Sequence, residues 1–161
     1  MGIERARLVV ESLNAINEAV QDTLETLTYS EATPVPADRC PARGTPYYLT
    51  TVEVKRPYAG FIRLMISREM AISLVGSMLG CSDQMEESWV HDGLSELVNT
   101  IGGRILAHLV DTYSSFDLGI PQTVFVETMQ SGPVGVLVRQ VYAVNEGFVE
   151  LELEFKRAQA A

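Results

Sequence analysis

The stretch HDGLSELVNTIGGRILAHLV (His91–Val110) decides how the chain folds. At 100° per residue, Leu94, Leu97, Val98, Ile101, Ile105 and His108 gather on one side, which predicts an amphipathic helix over about residues 87–112. Asp92, Glu96, Asn99 and Gly103 fall within about 60° of one another on the other side. A solvated helix face usually carries Lys and Glu pairs. This one offers a carboxylate, then an amide about one turn on, then a residue with no side chain. Gly102 and Gly103 each cost a helix interior about 1 kcal/mol relative to Ala. That cost makes sense where something must come close to the backbone, either another element or another protein.

Outward from this helix the pattern changes period. Upstream, Val9, Leu13, Ile16, Val20, Leu24 and Leu27 predict a first helix over residues 3–28. The proline-rich segment 28–46 reads as a loop with a short edge strand around Val35. LTTVEVKR and FIRLMIS then alternate as strands, the second with Ile62, Leu64 and Ile66 on one face. SREMAISLVGSMLG follows as a helix, with Ser67 as N-cap and Gly80 as its stop. Downstream, PQTVFVE, VGVLVRQVYAV and GFVELELEF read as three closing strands. In the last, Val149, Leu151, Leu153 and Phe155 oppose Glu150, Glu152, Glu154 and Lys156. The tail 157–161 is expected to fray.

Helices and strands therefore come in blocks. This predicts one α+β domain over 1–161, with a largely antiparallel sheet packed against long helices. The chain also echoes itself. GFIRLMI (Gly60–Ile66) resembles GFVELEL (Gly147–Leu153), an offset of 87. Glu11-x2-Asn14-x21-Pro36 matches Glu96-x2-Asn99-x21-Pro121 at an offset of 85. Two matches at nearly the same offset suggest duplicated units, each a helix plus three strands.

Composition narrows the function. The 161 residues carry a net charge of −9, with no basic run to hold a nucleic-acid backbone or an anionic membrane. No segment has the length of a membrane span, and Glu4, Arg5, Arg7 and Glu11 interrupt the apolar N-terminus, so the absence of a signal peptide and a cytoplasmic location are expected. Cys40 and Cys81 form no CxxC and read as reduced thiols. His91 and His108 belong to no metal motif, which predicts no metal or cofactor of the protein's own. Ser95 has no base near it in sequence, and no triad or dinucleotide-binding glycine motif is present. Trp89, just ahead of the polar face, is expected to be buried.

Asp92-x3-Glu96-x2-Asn99-x21-Pro121 resembles the signature of the CheC/CheX/FliY chemotaxis phosphatases, in which an Asp or Ser begins the motif. One complete motif makes the chain most similar to the CheX branch. The resemblance implies a phosphatase that hydrolyses the aspartyl phosphate of a CheY-type response regulator. It implies that Asn99 orients the attacking water and that Glu96 pairs with the regulator's active-site lysine. Asp92, Gly102, Gly103 and Pro121 would support the motif, the regulator would supply the Mg²⁺, and the protein would be a homodimer. The first copy, Glu11 and Asn14, has Arg7 where Asp or Ser belongs and would be a degenerate second site. The alternative is a non-catalytic signalling adaptor that binds a regulator or flagellar-switch partner through the same helix.

Overall fold

The structure, a computed structural model, describes residues 2–36, 38, 46–56, 59–81, 84–109, 116–127 and 138–156. Helix α1 (Gly2–Thr23) runs into one π-helical turn (Leu24–Thr28) and is followed by strands β1 (Ala32–Val35), β2 (Tyr47–Arg56) and β3 (Ala59–Ser67). Helices α2 (Arg68–Leu79) and α3 (Glu87–Leu109) come next, then β4 (Asp117–Leu118), β5 (Gln122–Val126), β6 (Val138–Val144) and β7 (Gly147–Lys156). The predicted edge strand at Val35 is β1. The two-residue β4 was not foreseen. Residues 134–137 of the predicted sixth strand, Cys40 and the tail 157–161 lie outside the described residues.

Helix ends follow the local chemistry. The Ser67 hydroxyl accepts from the Met70 N–H at 3.2 Å, and Gly80 stops α2 at φ 65°. The α1 terminus is less expected: Tyr29 takes the left-handed conformation at φ 58°, and Leu24 O accepts the N–H groups of both Tyr29 and Ser30.

The strands form one antiparallel sheet in the order β1-β6-β7-β3-β2, with β4 and β5 both on the outer edge of β2. With β4 set aside, exchanging β1, β2 and β3 for β5, β6 and β7 leaves this order unchanged. At its centre Leu64 pairs with Leu151, flanked by Ile66 with Val149 and Ile62 with Leu153. These apolar residues, with Tyr48, Val52, Val54, Tyr142 and Val144, belong to the same buried core as the apolar stripes of α1, α2 and α3. Burying each Leu or Ile side chain contributes about 1.5–3 kcal/mol.

On the other face the sheet departs from a simple apolar-in, polar-out alternation. Glu150, Glu152 and Glu154 are buried. Glu152 lies between Arg63 on β3 and Arg139 on β6 in register. Arg63 donates to Glu154 at 2.7 Å, and Arg139 donates to Glu150. Two guanidinium groups thus interleave with three carboxylates, which is the condition under which buried charge is tolerated.

Helix α3 is held at both ends. At its start, Tyr48 of β2 donates to Glu87 at 2.6 Å, and His91 lies 3.3 Å from the same oxygen. The Tyr48 ring meets His91 edge-on, with centroids 5.8 Å apart, and Phe125 of β5 at 5.1 Å. Glu87 also places a carboxylate at the positive end of the helix dipole. Along α3, Gly93 admits α2: a β-carbon there would stand 2.5 Å from Val75. Toward its end, Arg104 faces Asp22 at 3.9 Å and His108 faces Glu18 at 3.4 Å, both on α1. His108, expected on the apolar stripe, is instead exposed, because α1 offers it a carboxylate at the rim of the helix pair.

Two expectations follow. Arg63→Leu, which strands Glu154, should cost about 3–5 kcal/mol in urea unfolding, and adding Glu154→Leu should recover most of it. The Tyr48 bond holds the Glu87 carboxyl below its ordinary 4.5, and burial first, then Glu87, pushes the Tyr48 phenol up to about 12 from 10. The depressed acid contributes stability above pH 4.5 that is lost as pH falls below it. The raised phenol contributes stability below pH 10 that is lost as pH rises toward 12. Tyr48→Phe should therefore cost about 1–2 kcal/mol at pH 7. Denaturation at successive pH values should show the gap between parent and variant closing above pH 10 and below pH 4.5.

Candidate functional site

The core-facing side of α3 consists of Val90, Gly93, Leu94, Leu97, Val98, Ile101, Gly102, Ile105 and Leu106, all buried. Because helix geometry is rigid, burying this stripe forces the opposite line outward. Asp92, Glu96 and Asn99 are exposed, as the periodicity predicts. Among the described residues none of the three makes a side-chain hydrogen bond or ion pair. Their polar atoms therefore stay available to water or to a second molecule. Glu96 and Asn99 sit three positions apart, about one turn, so both can face one partner.

The two glycines differ. Gly102 faces inward, and a β-carbon there would lie 3.3 Å from Ile62 and 3.4 Å from Leu118, so packing on the sheet accounts for it. Gly103 faces the other way, and a β-carbon there would have no described atom within 4 Å. Pro121 immediately precedes β5, off the helix, and is half-buried.

Trp89 corrects an expectation. It is 44% exposed rather than buried, because it stands almost opposite the stripe that meets the core. It therefore extends the outward line of Asp92 and Glu96 by one turn toward the helix start. Tyr48, Glu87 and Phe125 carry no signal in the sequence, although with His91 they hold the helix that carries the candidate site. Tyr48 and Glu87 are 39 positions apart, and no local pattern links them.

The first motif copy lies on α1. Glu11 and Asn14 are exposed, but Glu11 accepts from Arg7 at 2.8 Å, one turn earlier. The Arg7–Glu11 pair raises the Arg7 pKa, chiefly through that hydrogen bond. The ion pairs Asp22–Arg104 and Glu18–His108 set α1 and α3 antiparallel. In that register Asn14 and Asn99 stand roughly 20 Å apart along the helix axes. The structure thus does not bring the two copies together. Among the described residues no group of three or more His, Cys, Asp or Glu could hold a metal ion, and no helix is long and apolar enough to cross a membrane.

The fold has clear counterparts. CheX from Vibrio vulnificus superposes with a TM-score of 0.72 at 18% identity, covering 90% of this chain and 96% of that one. CheX from Borrelia burgdorferi, solved in complex with CheY, BeF3 and Mg²⁺, superposes at 0.69 with 15% identity, covering 90% and 97%. FliY from Thermotoga maritima gives 0.67 at 13% identity, covering 94% and 90%. No curated protein matches by sequence. At such identities these structures speak for the fold. A family model described as chemotaxis phosphatase CheX matches residues 48–132, more than half of the chain and all of α3. With the motif outward on α3 and this match spanning it, the chain belongs to the CheX family of chemotaxis phosphatases, within the wider CheC/CheX/FliY group.

Proposed function

We infer that this chain hydrolyses the aspartyl phosphate of a CheY-type response regulator, and that Glu96 and Asn99 carry the activity. The observation behind this is one pair of side chains: an exposed carboxylate and an exposed amide, without partners among the described residues, on a helix anchored at both ends. Support for the partner comes from the Borrelia relative, solved with CheY, BeF3 and Mg²⁺.

The chemistry suits these groups. Phosphoryl transfer needs positioning and charge stabilisation more than a new covalent nucleophile. In the proposed step the oxygen of a water attacks phosphorus in line with the bond to the aspartyl carboxylate. That bond breaks, the carboxylate leaves with the electron pair, and the water's protons go to the phosphate product and solvent. Asn99 contributes an amide that accepts from the water while donating to a neighbouring oxygen. A carboxylate in its place would repel the phosphoryl oxygens. Glu96 pairs with the regulator's lysine and holds register, and the regulator brings its own Mg²⁺. Asp92 sits on the same line, in the helix's second turn, and adds negative potential toward that lysine. Glu11 and Asn14 are the degenerate copy, since Arg7 stands where the motif has Asp or Ser and pairs with Glu11.

Two further readings attach to this one. The palindromic strand order and the pairing of Leu64 with Leu151 support a duplicated plan of helix plus three strands. Phe116, Ile120 and Val124 are exposed along the β4–β5 edge, Ile120 at 88%, which supports a homodimer joined at that edge. A response regulator places the protein in the cytoplasm.

Incubation with a phosphorylated CheY-type receiver domain should show faster loss of phosphate than the receiver alone. Asn99→Ala should lower the rate by about 10²-fold or more with binding largely kept, as expected for a positioning group. Glu96→Ala should weaken both binding and rate. Parent-like behaviour of both variants would sink the assignment, and binding without any acceleration would leave an adaptor. Light scattering after size exclusion should give twice the monomer mass for the parent and the monomer mass for Ile120→Asp/Val124→Asp.

A further inference from the structure

Among the described residues nothing accounts for Gly103. It lies in the interior of α3, where glycine is unfavourable. The backbone does not ask for it, since Gly80 is the described glycine with positive φ. Packing does not ask for it either: no described atom lies within 4 Å of where its β-carbon would be, whereas Gly93 and Gly102 each have a neighbour that a side chain would press. Yet Gly103 is one turn beyond Asn99, on the line that also carries Asp92 and Glu96.

A bare position bordered by open space, continuous with an unpartnered carboxylate and amide, fits a surface that approaches from outside. We propose that Gly103 is a contact residue for the phosphorylated response regulator, and that its missing side chain lets the regulator seat on α3 without a clash. The inference rests on the reading of Glu96 and Asn99 given above. The occupant is the regulator rather than a second copy of this chain for a reason of charge. The line bears Asp92 and Glu96 and meets no Lys or Arg before Arg104, and two such acidic faces would repel. A lysine-bearing active site complements it.

The contact has an unusual signature, because the substitution that weakens docking should strengthen the fold. Gly103→Ala should raise the thermal midpoint by roughly 2–4 °C. Yet it should raise KM for a phosphorylated receiver about 3- to 10-fold with kcat little changed, since Asn99 is intact once docked. Gly103→Met should raise KM by a further order of magnitude and weaken binding to a receiver loaded with beryllofluoride and Mg²⁺ to the same degree. Circular dichroism verifies that both variants fold. A glycine with no part in docking would show the higher midpoint with KM and binding unchanged, and one that packing requires would show a lower midpoint; either result overturns the inference while leaving Asn99 and Glu96 untouched. A parent that neither binds nor dephosphorylates any CheY-type receiver overturns the proposed function, and this inference with it.

Discussion

One constraint governs this molecule: the apolar stripe of α3 must be buried against the sheet. Leu94, Leu97, Val98, Ile101 and Ile105 are fully excluded from solvent, and together their transfer from water is worth on the order of 10 kcal/mol. No alternative rotation of the helix keeps that gain. With the rotation set, Asp92, Glu96 and Asn99 must face outward, and the site needs no scaffold of its own. Hydrophobic burial, a non-directional effect, thereby aims two polar groups with the precision of helix geometry.

The rest of the fold keeps that helix still. Tyr48 and Glu87 tie its start to β2, and Asp22 and Glu18 face its last turns from α1. The sheet beneath is stiffened on both faces. Its inner face belongs to the apolar core, and its outer face interleaves Arg63 and Arg139 with Glu150, Glu152 and Glu154. Such a buried lattice adds little net energy compared with apolar residues, but it disfavours register slips, because a one-residue shift would bury unmatched charges. A partner docking on α3 would meet a surface whose ordering cost has been met during folding, which would suit the proposed reaction.

Much of this was legible in advance for a common reason. The stripes of α1 and α3, the Ser67 and Gly80 caps and the alternation in β2, β3 and β7 are local patterns, written within a few turns or a few strand residues. The likeness of Gly60–Ile66 to Gly147–Leu153 foreshadowed the central β3–β7 pairing, where equivalent leucines meet. What local patterns hid was pairwise. Trp89 is a separate case: the helix period itself turns it away from the stripe, against the expectation that it is buried. The glutamates of β7 looked like a solvated face until Arg63 and Arg139 arrived from two other strands. Gly102 and Gly103 looked alike, and only the third dimension separates one pressed by Ile62 from one beside open space.

The sequence by itself determined the rods, the ribbons and which side of α3 is polar, because those follow from periods of 3.6 and 2 along the chain. Only the tertiary structure decided which polar groups stay unpartnered. His108 faces Glu18 and Glu87 is held by Tyr48, while among the described residues Glu96 and Asn99 have no such partner. Whether a charged side chain is satisfied depends on what stands within a few ångströms of it. In a folded chain those neighbours come mostly from residues far away in the sequence.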